Sequence, residues 1–210
     1  MDAARWALRS DCQAVKDLFR TEIVAGIDEV GRGPLAGPVV TAAVILPEAI
    51  KGLADSKALS EKRREALFPV IMEQALVGIG AASVREIDHL NILQATMLAM
   101  RRAVERLPKT PTLAMVDGNQ NPGLGIRTEL VIKGDSKIPE ISAASIVAKV
   151  IRDRLMRKLA QRHPFYGWES NVGYGAKQHR DAMKAQGVTA HHRRSFAPLR
   201  HWLEDETFVA

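Results

Sequence analysis

The sequence predicts an α/β protein, with a β-sheet flanked by helices and a helical C-terminal portion. Five short runs rich in β-branched and small apolar residues are spread over the first two thirds of the chain. Segments with 3.6-residue apolar spacing lie between and after them, and turns containing Gly and Pro separate the two kinds. At 210 residues, 46% hydrophobic and 26% charged, the chain suits one large globular unit and excludes a disordered or fibrous class.

In order, residues 3–20 read as a short amphipathic helix with Trp6, Val15, Leu18 and Phe19 as docking side chains. Residues 1–22 then form a helical extension ahead of a main domain over 23–210. The run "EIVAGIDEV" (22–30) mixes β-branched residues with glycine and meets the turn "GRGPLAGP". "VVTAAVILP" (39–47) is nearly free of polar side chains and reads as a central strand covered on both faces, beside the first. Ser60 caps a helix through "EKRREALFPVIMEQA", which Pro69 should kink or divide. "LVGIGAASV" returns to strand. "REIDHLNILQATMLAMRRAVERL" reads as one helix, with Ile87, Leu90, Leu93 or Gln94, Met97 and Arg101 tracing its spacing. "TLAMVDG" (112–118) and "TELVIKGD" (128–135) are the last strands. From Ser142 a long helix carries Ile146, Val147, Val150, Ile151, Leu155 and Leu159 inward and leaves Lys149, Arg152, Arg157 and Lys158 for a charged surface. A final helix lies near 176–186, so the helical C-terminal region covers about 142–210.

The net charge of +6 is unevenly placed. Residues 1–132 hold 16 basic and 16 acidic side chains, whereas 133–210 hold 14 and 8, together with five of the six histidines. A polyanion-binding face needs such a concentration, because each neutralised phosphate releases condensed counterions; a solubilising surface would show it too. The single cysteine, Cys12, excludes an internal disulfide and any CxxC motif, and no secretory or membrane-spanning apolar run occurs. A soluble cytoplasmic protein is expected.

Acidic residues recur where strands end: Asp28 and Glu29 before Gly31, Asp117 before Gly118, and Asp135 after Gly134. In α/β sheets ligands bind beyond strand ends, so acids distant in sequence can converge there. Taken singly, each reads more readily as a turn, capping or merely exposed residue, and only recurrence at strand ends shifts the balance. Glu29 is the weakest, because adjacent strand residues face opposite sides unless the strand is ending. Four clustered carboxylates repel one another; Mg²⁺ or Mn²⁺ relieves that repulsion with oxygen ligands and completes its shell with water and phosphate. On a basic protein this chemistry suits a metal-dependent phosphodiesterase. No dinucleotide fingerprint, P-loop or HExxH motif is present.

The blocks "GIDEVGRGPLAGPVVTAAVILP", "DSKALS", "EIDHLNILQATMLAMRRA", "VDGNQNP", "IKGDSKIPEISAASIVAKVIRDRLM", "HPFYGWESNVGYGAKQH" and "HHRRSF" closely resemble the type 2 ribonuclease H family in its bacterial ribonuclease HII branch. They span residues 26–196. The resemblance implies a mixed ribonuclease H-like sheet and a monomer in the cytoplasm. The implied substrates are RNA/DNA hybrids and ribonucleotide-containing duplex DNA, cut to 3'-hydroxyl and 5'-phosphate ends during primer removal and ribonucleotide excision. By motif the family's four acids, which hold Mg²⁺ or Mn²⁺, fall on Asp28, Glu29, Asp117 and Asp135, with water as the nucleophile. The family's glycine-arginine-glycine element falls on Gly31, Arg32 and Gly33, whose backbone would sense the 2'-hydroxyl. Tyr174 would pack beside the sugar on the downstream DNA side. Lys149, Arg152, Arg157, Lys158, Arg193 and Arg194 are candidates for phosphate contact, although His191, His192, Arg193 and Arg194 could instead secure the tail.

Three positions depart from the pattern. Many members have Lys and Thr where this chain has Val172 and Ala176, and Lys where it has Ala58. The 27 residues before Asp28 leave no room for the N-terminal domain of the larger type 3 relatives, so type 2 is expected. Two other classes stay open on the residues alone: a non-catalytic hybrid-binding protein, and a metal nuclease acting on plain or branched DNA.

Overall fold

The computed structural model describes residues 22–53 and 59–204. The expected helix over 3–20, Cys12 and the Ala58 departure lie outside the described residues. Strands β1 (Val24–Val30), β2 (Val39–Ile45), β3 (Leu76–Ala82), β4 (Leu113–Asp117) and β5 (Arg127–Val131) form one sheet in the order β3-β2-β1-β4-β5. The first three pair antiparallel, and β4 and β5 continue parallel to β1, so the sheet is mixed. All of β2 is buried, as its apolar run predicts for a strand covered on both faces.

The helices are α1 (Glu61–Gln74), α2 (Val84–Leu90), α3 (Ile92–Glu105), α4 (Pro139–Arg162), α5 (Trp168–Asn171), α6 (Lys177–Gln186) and α7 (Leu199–Glu204). On one face of the sheet Ala42 and Val44 pack against Leu67 and Ile71 of α1 and Ile146 and Val147 of α4. On the other, Ile27, Ala43 and Val116 meet Met97 and Met100 of α3. A third cluster joins Leu35, Met156, Trp168, Met183 and Leu199, and secures the C-terminal helices to α4. No helix among the described residues is long and apolar enough to cross a membrane.

Four expectations need correction. The helix expected over 85–107 is two, α2 and α3, broken at Asn91, whose φ of 70° leaves the right-handed region. Its side chain then accepts from the Gln94 N–H at 3.1 Å and starts α3. Pro69 does not divide α1: it lies on the exposed side, where water can satisfy the carbonyl its missing N–H leaves, while Leu67 and Ile71 anchor the turns around it. The long helix begins at Pro139, ahead of Ser142, and proline suits a first turn whose N–H groups have no helical acceptor. The strand expected to reach Asp135 ends at Val131. Lys133 adopts a left-handed φ of 55°, and Asp135 sits in a 3₁₀ turn, Gly134–Ser136.

Candidate active site

Sheet register brings the acids together. β1 and β4 pair in parallel as far as Ile27 with Val116, so the next residues, Asp28 and Asp117, stand at neighbouring strand ends, about 4.8 Å apart in an ideal sheet. Gly26 allows α4 to close over β1: a Cβ there would lie 2.1 Å from the Glu140 carbonyl carbon. That approach brings Ser145 to the buried Asp28 carboxylate, which also accepts from the Glu29 N–H at 2.7 Å. Glu29 pairs with Arg32 at 3.2 Å, and the Asp117 carboxylate accepts the Gly134 N–H at 2.7 Å.

Asp28, Glu29 and Asp117 line one cavity of about 420 Å³, with the Gly31–Gly33 loop, Ser145, Lys149 and Tyr174 around them. Asp28 and Glu29 share it because both sit near the end of β1, where pairing to β4 has stopped. Asp135 is not in that lining. It is buried in the wall of an adjacent cavity of about 270 Å³ with Leu53, Ser136 and Ser142, one residue beyond the N–H that holds Asp117.

The electrostatics favour a hard cation. Burial first, then the Glu29 and Asp117 carboxylates, hold Asp28 well above the ordinary aspartate range. Burial also raises Glu29, against the opposing pull of Arg32. Glu29 Oε2 is buried without a hydrogen-bond partner. A divalent cation would supply that oxygen with a partner and cancel the repulsion, so the donor set fits Mg²⁺ or Mn²⁺. Among the described residues no group of three or more His, Cys, Asp or Glu side chains is arranged to hold a metal ion by itself.

Two arginines expected to contact phosphate are instead buried behind the loop. Arg193, fully buried, donates from Nε to the Gly37 carbonyl at 2.9 Å, and from its terminal nitrogens to the carbonyls of Arg32 at 2.8 Å and Gly31 at 2.5 Å. Arg152, also fully buried, donates to the carbonyls of Pro38, Val172 and Ala36 at 3.1, 2.9 and 3.1 Å. The planar fork meets several carbonyl dipoles at once, which is how a guanidinium is held away from water without a carboxylate. Burial and the nearby Arg152 charge push Arg193 down to about 9, still charged at neutral pH. Gly31, at φ +101°, lies against this pair: a Cβ would sit 2.0 Å from Arg152 Nε. Gly31→Ala should therefore lower stability by on the order of 2 kcal/mol or more, read as a fall in melting temperature, and a neutral result would show that the loop can move away from Arg152.

The other basic candidates divide. Lys149 lines the acid cavity and pairs with Asp153 at 2.8 Å. Arg157 is engaged by Glu61 and by Glu65 at 3.5 Å on α1. Lys158 and Arg194 are exposed, and the Arg194 backbone N–H donates to Asp88 at 3.1 Å. Of the departures, Val172 lends its carbonyl to Arg152. Ala176 precedes α6 without a side-chain cap, forgoing the bond a Thr would supply. Sequence reasoning missed Ser145 and Arg64, both in the cavity wall. The only signal for Ser145 was a polar residue among the apolar positions of α4.

Tyr174 is 49% exposed, and a Cβ on Gly33 would lie 3.5 Å from its ring. The Leu35 N–H donates to the Gly173 carbonyl at 2.8 Å, so the loop and the Tyr174 segment share backbone bonds.

Comparison with known proteins bears on the family and the fold. The ribonuclease HII of Burkholderia mallei (strain SAVP1) is 59% identical over 182 residues, 85% of each chain. The crystal structure of ribonuclease H2 from Pyrococcus horikoshii OT3 superposes with a TM-score of 0.72 at 28% identity, covering 85% of this chain and 95% of that one. Bst-RNase HIII, solved with Mn²⁺, shares the fold at a TM-score of 0.69 and 20% identity, over 87% of this chain and 70% of that one. The Ribonuclease HII family model matches residues 25–199, and the chain belongs to that family of metal-dependent endoribonucleases, which cleave RNA in RNA/DNA hybrids and ribonucleotides in DNA.

Proposed function

We propose that this chain incises RNA/DNA hybrids and duplex DNA containing single ribonucleotides, on the 5' side of the ribonucleotide, leaving 3'-hydroxyl and 5'-phosphate ends. In this reading Asp28, Glu29, Asp117 and Asp135 hold Mg²⁺ or Mn²⁺, and the enzyme acts as a cytoplasmic monomer in primer removal and ribonucleotide excision. The observation that carries the reading is one cavity shared by three acids, the Gly31–Gly33 loop and Tyr174. Mg²⁺ or Mn²⁺ held by these acids would supply Lewis acidity and lower the pKa of water. The chain's own groups set the stage. Ser145 and the Glu29 N–H orient Asp28, the Gly134 N–H orients Asp117, and Arg32 restrains Glu29, so little reorganisation remains when charge develops. Lys149 and Arg64 add positive charge to the wall, which draws the phosphate backbone in. The loop, fixed from behind by Arg193, offers its backbone to the 2'-hydroxyl, and Tyr174 offers a ring face to the next sugar.

A labelled duplex with one ribonucleotide, incubated beside its all-DNA counterpart in Mg²⁺ or Mn²⁺, tests the reading. Binding without incision would assign the non-catalytic class, and cleavage of the all-DNA duplex would assign a general nuclease. Recognition through backbone and sugar also makes cleavage indifferent to base identity. Tyr174→Phe should keep substantial activity because the ring face remains. Tyr174→Ala should lose most on the single-ribonucleotide duplex and less on a uniform hybrid, which offers many registers. An equal proportional loss on both substrates would reduce Tyr174 to a general binding or packing residue.

A further inference from the structure

Behind Tyr174 lies a chain of polar groups, buried except at its Thr189 end, that the proposed chemistry does not use. Its members are Thr189, His192, His179 and Trp168, and the hydrogen bonds fix the proton on each ring. The Thr189 backbone N–H, which can only donate, lies 2.9 Å from His192 Nδ1. That nitrogen therefore carries the lone pair, and a neutral His192 has its proton on Nε2. The Trp168 indole N–H, also only a donor, lies 3.0 Å from His179 Nε2, so His179 carries its proton on Nδ1. The two assignments come from opposite ends and meet at one atom: His192 directs its Nε2–H at His179 Nε2 across 3.1 Å, sharing that nitrogen's single lone pair with the indole N–H. His179 Nδ1–H then points at the one acceptor beside it, the Tyr174 carbonyl, at 2.8 Å. Both imidazoles are buried, at 0% and 1% exposed, and stand edge or tilted against Tyr166 and Trp168.

We propose that His179 and His192 form a hydrogen-bond relay of fixed, opposite tautomers that positions Tyr174 beside the Gly31–Gly33 loop, making both histidines positioning residues for recognition of the ribonucleotide-to-deoxyribonucleotide step. The proposal rests on the reading of Tyr174 as the platform for the downstream sugar. Its physical content lies in the restraint on one residue. The Tyr174 N–H donates to the Asn171 carbonyl at 2.9 Å, and its carbonyl takes both His179 Nδ1–H and the Ala176 N–H at 2.8 Å. The backbone is thus gripped on both sides while the ring projects into the cavity. Neither imidazole can accept a second proton without turning an N–H toward another N–H, at Thr189 for His192 or at Trp168 and His192 for His179. Burial lowers the affinity of both rings for that proton, to about 3 for His192, so the relay stays neutral through the physiological range. A displacement of about 1 Å in a group that orients substrate can lower the rate roughly 100-fold, enough for such a restraint to be visible in turnover.

Nitrogen-15 NMR of the wild-type protein reads the tautomers directly: His179 should show a protonated Nδ1 and bare Nε2, and His192 the reverse. For function, His179→Leu keeps the volume without the donor, and His179→Asn places an amide N–H near the former Nδ1. On the single-ribonucleotide duplex His179→Leu should lose about 10- to 100-fold in kcat/KM. His179→Asn should recover most of that loss. In a Tyr174→Ala background His179→Leu should add nothing, since its effect runs through the tyrosine. An additive double variant, or a His179 ring protonated on Nε2, overturns the relay while the Tyr174 platform stands. A Tyr174→Ala enzyme with wild-type rates overturns the platform itself, even if the NMR tautomers are as stated.

Discussion

Asp28→Asn should abolish turnover by more than about 100-fold while making the metal-free protein more stable. The first effect follows from replacing the proposed anionic cation ligand with a neutral amide in the acid cavity. The second follows from the cost of the charge itself. Asp28 is buried and faces Glu29 and Asp117, and its carboxyl holds its proton to a higher pH in the folded chain than in the unfolded one. Below the ordinary aspartate value both states keep the proton and the group contributes nothing to pH dependence. As pH rises the unfolded chain releases it first, and folded stability falls until the raised folded value is passed. The stability difference between Asp28→Asn and wild type, without divalent ions, should therefore grow from mildly acid to neutral pH. An increase of about 2 °C in melting temperature at neutral pH corresponds to roughly 1 kcal/mol in a chain of this size. Adding Mg²⁺ or Mn²⁺ should stabilise wild type and leave the variant nearly unchanged. A folded variant with near-wild-type turnover, or one destabilised at neutral pH, would remove Asp28 from the centre of the site. Asp135→Asn should match it in lost turnover with binding retained, which tests whether the acid in the neighbouring cavity belongs to the same ion site.

Arg193→Lys should be the most disruptive conservative substitution behind the loop. An ammonium keeps the charge but cannot serve the Gly31, Arg32 and Gly37 carbonyls together, as the guanidinium fork does. Leaving one or two buried carbonyls unmet costs about 1–3 kcal/mol each. A melting-temperature loss of several degrees is expected, with faster amide exchange over 31–38 and at least about a 10-fold loss on the single-ribonucleotide duplex. The salt dependence of duplex binding should keep its slope, because Arg193 meets carbonyls and not phosphate. A flattened slope with unchanged exchange in the loop would return Arg193 to the phosphate-contact role.

The contrast between Arg152 and Lys158 shows what a sequence can and cannot convey. Both are basic positions on an amphipathic helix, and periodicity assigns both outward. Lys158 is exposed, whereas Arg152 is buried because carbonyls from residues 36, 38 and 172 converge on it. That compensation comes from distant backbone, which local pattern does not encode. β2 was legible because burial on both faces removes polar side chains from the run itself. The break at Asn91 was hidden because the apolar spacing continues through it, from Ile87 to Met97. Asp28, Glu29 and Asp117 were legible as acids at strand ends, and register completes the inference by setting Asp28 beside Asp117. Asp135 looked like a third strand end, yet the strand stops at Val131 and the left-handed Lys133 turns the chain before it.

The bonds from Arg193 to Gly31 and Arg32 span 162 and 161 positions, and those from Arg152 to Pro38 and Ala36 span 114 and 116. Synthesis delivers the N-terminus first, so the acids and all five strands leave the ribosome well before Arg193 does. We expect a nascent chain stalled with its last emerged residue near 185 to carry the carboxylates and lack a fixed loop, with residues 31–38 as open to protease as an unfolded segment. Protection of that loop before Arg193 emerges would contradict this order. If the loop reads the sugar as proposed, a chain still being translated could not distinguish ribose from deoxyribose until the segment carrying Arg193 had folded onto residues 31–38.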